Sequence, residues 1–135
     1  LAAPELTSEA VAEHRMLVVD VLARVSSVAR GQATRASSAG RLPPRVTPGA
    51  DLIGAKLAGL DLGGANLRGA YLIAADLSRA RFDYADLIGA DLRDARVHGA
   101  DLSRAIFLTQ PQVNAALGDA STHIPPALLR PSHWV

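Results

Sequence analysis

The chain has 135 residues, 49 % of them hydrophobic and 20 % charged but only 4 % aromatic, so it fits one domain whose core must be built of Leu and Ala. Fourteen Lys and Arg against 13 Asp and Glu leave a formal charge of +1, too balanced for attraction to nucleic acid or an acidic surface to dominate. Without cysteine there is no disulfide, thiolate metal site or cysteine nucleophile, which suits a reducing cytoplasm.

The first segment, residues 1–35, is expected to be helical. Thr7 is placed as an N-cap, and Leu6 with Val11 has the spacing of a hydrophobic staple. The apolar stripe Val11, Val18, Leu22, Val25 and Ala29 keeps helical period with Arg15, Asp20, Arg24 and Arg30 off it. The most apolar window, 16–25, is broken by Asp20 and Arg24 and falls far short of the ~20 apolar residues that span a bilayer. No basic stretch leading into an apolar run opens the chain, and it begins at Leu1, so a processed or excised piece without a signal peptide is expected. Such a helix can lie over the first repeats of the chain, pair with the same helix of a second copy, or join an upstream domain. Residues 36–49 are a Pro/Gly/Ser-rich connector that Pro43, Pro44 and Pro48 stiffen.

From Ala50 the sequence repeats every five residues. Written in fives, residues 50–109 give twelve units without an insertion, from ADLIG, AKLAG and LDLGG to ARVHG, ADLSR and AIFLT. The first position is Ala in eleven units and Leu60 in the other; the third is Leu in nine, Phe82 and Phe107 in two and Val97 in one. Neither a 3.6-residue helix nor a two-residue alternation keeps this pattern in phase. A polygonal coil does, if each unit forms one side and turns a corner where Gly recurs at the fifth position.

The tandem A(D/N)LXX pattern resembles the pentapeptide repeat family and covers about 45 % of the chain. The resemblance implies a mainly β fold, a right-handed quadrilateral β-helix with four units per coil. Twelve units then make about three coils, with the helix before them and a short helix and extended cap after them. Residues twenty apart stack, and the columns Leu52/Leu72/Leu92, Leu57/Leu77/Val97, Leu62/Phe82/Leu102 and Leu67/Leu87/Phe107 are expected to fill the interior as the structural core. The second position points outward, and its columns Lys56/Asp76/Arg96 and Asp61/Arg81/Asp101 alternate in charge, which opposes slipping by a whole coil. Ile53, Tyr71 and Ile73 form one outward apolar group and Ile88, Ile106 and Leu108 another, each either covered by other parts of the chain or a contact surface.

Residues 110–135 form the cap and tail. Thr109 to Gln112 has capping-box form, and Gly118 is placed as a C′ residue. That frames a helix from Pro111 to Leu117 whose Val113, Ala116 and Leu117 close the open end under Phe107. The proline-rich remainder is expected to run extended, anchored by Trp134. It resembles the ends of bacterial, especially actinobacterial, pentapeptide repeat proteins.

Little in the sequence points to catalysis, a metal or a cofactor. His14, His98, His123 and His133 show no ligand spacing, and Gly59 to Gly64 lacks the Lys-Ser/Thr of a phosphate loop. The expected function is a non-enzymatic protein-interaction or scaffold domain, a possible homodimer through its N-terminal helix or an apolar wall, with no nucleic acid or membrane partner. The alternative that the resemblance supplies is a DNA-mimicking, gyrase-binding protein. Residues 50–109 carry eight Asp against six Arg and Lys56, a net of −1, whereas duplex DNA presents one charge of a single sign every ~1.7 Å.

Overall fold

The computed structural model describes residues 7–36 and 42–135. The expected staple residue Leu6 and the first part of the connector lie outside them. The first element is α1 (Ser8–Ala36), 29 residues long. Thr7 starts it: its carbonyl accepts the first intrahelical bond from the Val11 amide at 3.0 Å, and its Oγ1 accepts from the Ala10 amide at 3.0 Å, satisfying one of the donors that a helix start leaves open. Gly31 does not end the helix, which continues through it.

The repeat block is best understood from one unit's amides. In residues 76–80 the Asp76 amide donates to the Ala55 carbonyl one tier above (2.8 Å), and the Leu77 and Arg79 amides donate to Arg96 and His98 one tier below (both 2.8 Å). Ala80 closes a turn onto the Leu77 carbonyl at 3.1 Å. That leaves the fourth amide, Ser78, and the Asp76 side chain takes it, Oδ1 accepting at 3.1 Å. All five donors are thereby satisfied within five residues. The fifth position lies at the inside of the turn with positive φ, as Gly59 shows at 72°, a conformation that glycine adopts without steric cost.

This pattern corrects the expected fold class. A mainly β, right-handed quadrilateral β-helix is not what the structure contains, because no β-strand forms among the described residues. Adjacent tiers meet instead through ten isolated single-residue parallel bridges, such as Asp51 with Tyr71, Tyr71 with Asp91 and Asp76 with Arg96. The reason is arithmetic within the unit: four of every five residues belong to the turn or flank it, so one residue remains to pair and no extended run can develop. Leu72 shows the correction at a single position. Placed by the sequence in the middle of a β-helix wall, it lies in no strand: it follows the lone bridge residue Tyr71, and its own carbonyl already accepts from Ala75 at 3.1 Å to close the turn, while its amide donates to Asp91 at 2.8 Å. Within the block the bridges join residues twenty apart, and each tier is four units.

Burial follows the same register. The columns Leu52/Leu72/Leu92, Leu57/Leu77/Val97 and Leu62/Phe82/Leu102 are buried throughout, as are Leu67 and Leu87, together with first-position alanines from Ala65 to Ala100. Phe107 departs from the expected interior. It is half-buried, and its φ of 62° is left-handed, because the chain leaves the register there to enter the second helix. That helix is α2 (Gln110–Ala115), shorter than expected at its far end. Its Val113 and the following Ala116 join the buried core, whereas Leu117 is 40 % exposed and pairs outward with Arg96. Gln112 replaces a missing rung. Pro111 has no N–H, and the Gln112 Nε2 donates to the Ala90 carbonyl at 3.0 Å and to Leu87 at 2.7 Å, while its Oε1 accepts from the Thr109 amide at 2.8 Å.

A partial fourth tier closes this end. His123 bridges to Asp101, Thr122 is buried with its Oγ1 donating to the Val97 carbonyl at 2.9 Å, and Arg130 holds the Asp119 and Thr122 carbonyls at 2.7 and 2.8 Å. Trp134 is buried and donates Nε1 to the Ala116 carbonyl at 3.0 Å. Gly118 is there for the tryptophan rather than as a left-handed cap, since a Cβ on it would meet the indole ring at 2.8 Å. At the opposite end Val46 is buried and Leu42 packs against the same core.

Candidate interaction surfaces

Three surfaces carry side chains that could meet another molecule. The first is the wall of the repeats. Aspartate or asparagine at the second position is engaged locally: Asp51, Asp61, Asn66, Asp76, Asp86, Asp91 and Asp101 each accept through Oδ1 from the amide two residues on, at 2.9 to 3.4 Å. Lys56 bridges Asp76 and Arg81 bridges Asp101 through the backbone, and the ion pairs of the block include Arg68 with Asp86, Arg81 with Asp83 and Arg93 with Asp91.

The electrostatics of this wall are set by those local bonds. The Ser78 hydroxyl and amide hold the Asp76 carboxyl below its ordinary value of 3.8. The Arg93 side chain does the same for Asp91, and the Ser121 hydroxyl for Asp119 in the tail. For Asp101 burial pushes upward most strongly and is outweighed by the Ser103 hydroxyl and amide with the charges of His123 and Arg81, so that its pKa is also lowered. Asp86 is fully buried: its Oδ1 accepts from Ile88 and its Oδ2 has no hydrogen bond and faces Arg68 Nε at 3.4 Å.

The second surface comprises the outward apolar residues. Ile53 and Tyr71 are exposed and Ile73 is half-buried. Leu72, between Tyr71 and Ile73 in the chain, has no exposed surface, so the wall presents its neighbours and not the leucine. On the other group Ile88 and Ile106 are half-buried and Leu108 packs against the core. A shallow hollow beside α2 is lined by Ile88, Leu92, Phe107, Pro111 and Ala115. It is open, and the polar side chains at it, Asp91, Arg93, Thr109 and Gln112, are engaged locally, Arg93 with Asp91 and Gln112 with the Thr109 amide and the Leu87 carbonyl.

The third surface is α1. Met16, Leu17, Val21 and Val28 are 73, 66, 55 and 64 % exposed, and Val18, Val19 and Val25 are exposed beside them. No residue of α1 belongs to the buried core among the described residues. The sequence stripe Val11, Val18, Leu22, Val25 and Ala29 took in the exposed Val18 and Val25 together with the half-buried Val11, Leu22 and Ala29, and left the exposed Leu17, Val21 and Val28 out. Marking the apolar residues on every face of the helix, rather than along one stripe, would have found them.

The four histidines are not brought together. His14 lies on α1, His98 in the repeats, His123 in the partial fourth tier, and His133 stands edge-on to Trp134 with ring centroids 6.4 Å apart. No group of three or more His, Asp or Glu that could hold a metal ion occurs among the described residues. No helix there is long and apolar enough to cross a membrane.

Residues 49–83 and 70–107 match the sequence profile of pentapeptide repeats, in eight copies. No curated protein matches the chain. The five-residue turn with its second-position acceptor, the twenty-residue stacking and the matched span together place residues 49–107 in the pentapeptide repeat family.

Proposed function

We propose that the chain is a non-enzymatic protein-interaction or scaffold module, in which the stacked repeats are a rigid mount and α1 is the contact element. The observation that carries this reading is the row of large apolar side chains on α1 from Met16 to Val28, exposed along the helix. The repeats support it from the other side: both their ends are closed by residues of the chain itself, Leu42 and Val46 at one and α2 with Trp134 at the other. DNA mimicry is the weaker reading, because six of the eight aspartates in the block turn a carboxylate oxygen to their own backbone.

The test uses the full chain. Wild type and a Val21→Glu, Val28→Glu variant are compared by chemical cross-linking and light scattering at micromolar concentration, with circular dichroism confirming that the fold is retained. Wild type is expected to form complexes, with itself or with an added partner, that the variant does not. Equal complex formation by both overturns α1 as the contact element.

A further inference from the structure

We draw no further inference here: the strongest candidate, the exposed apolar face of α1 from Met16 to Val28, carries none because nothing in the structure shows what covers it.

Discussion

An aspartate at the second place of a unit accepts from the amide two residues ahead, and this bond explains why the repeat prefers Asp and Asn there to other polar residues. Both carry a short side chain with an acceptor at the right reach, the Asx-turn geometry. Asp76 is the clearest instance, since its Oδ1 accepts from both the amide and the hydroxyl of Ser78, at 3.1 and 2.6 Å. Asp76→Ala removes the acceptor and is expected to cost about 1 kcal/mol, whereas Asp76→Asn keeps it and costs less than half of that. Urea midpoints at constant slope measure the difference, and equal losses in the two variants refute the role. The same bonds fix the response to acid. Asp76, Asp91 and Asp119 have folded-state values below 3.8, lower than in the unfolded chain, so their contribution is complete above the unfolded value and is lost as pH falls through the folded ones. The urea midpoint should therefore stay level between roughly pH 8 and pH 5 and drop below about pH 4.

At the scale of elements, the sequence disclosed unequal amounts. The five-residue period was legible in full, because one Leu and one Ala per unit leave no other way of burying both, and the start of α2 was legible because Thr109 and Gln112 form a local motif. The absence of strands was not, since it depends on how many of five residues the turn consumes, which composition does not show. Leu72 carries both halves of that lesson: its period announced a repeated inward position, but nothing in the period said that its carbonyl would close a turn instead of extending a strand. Nor was the reason for Gly118 legible, because it is sixteen residues from the tryptophan it accommodates. That contact is testable with the protein's single Trp as its own probe. In Gly118→Ala the new methyl meets the indole at 2.8 Å, so the ring must leave the Ala116 carbonyl or the backbone must shift. Overpacking of this kind costs about 1–3 kcal/mol, and Trp134 emission is expected to move to longer wavelength as the ring becomes hydrated. Unchanged emission and stability would show that the segment yields without strain.

The whole molecule is a stack that has to be stopped, and the residues after α2 stop it. Without them the last full tier presents bare backbone: the Leu102 amide loses the His123 carbonyl, the Ala100 carbonyl loses the His123 amide, and the Val97 carbonyl loses the Thr122 hydroxyl. These groups point along the stacking direction in the register that joins tier to tier, so an uncovered end is a template for the same end of another molecule. A chain ending after Gly118 keeps every complete repeat unit and all of α1 but lacks this cover and Trp134. It is expected to grow into large particles at concentrations where the full chain remains a small discrete species, as light scattering over time would show. Thr122→Val separates the cause from mere loss of length. It removes the hydroxyl that donates to the Val97 carbonyl, which keeps the Ala100 amide as donor, and that accepts from the Asp119 amide, at a cost of about 1 kcal/mol per bond, and is expected to lower stability without promoting growth, because the end remains covered. If the shortened chain stays small, the stack ends by some means other than its tail.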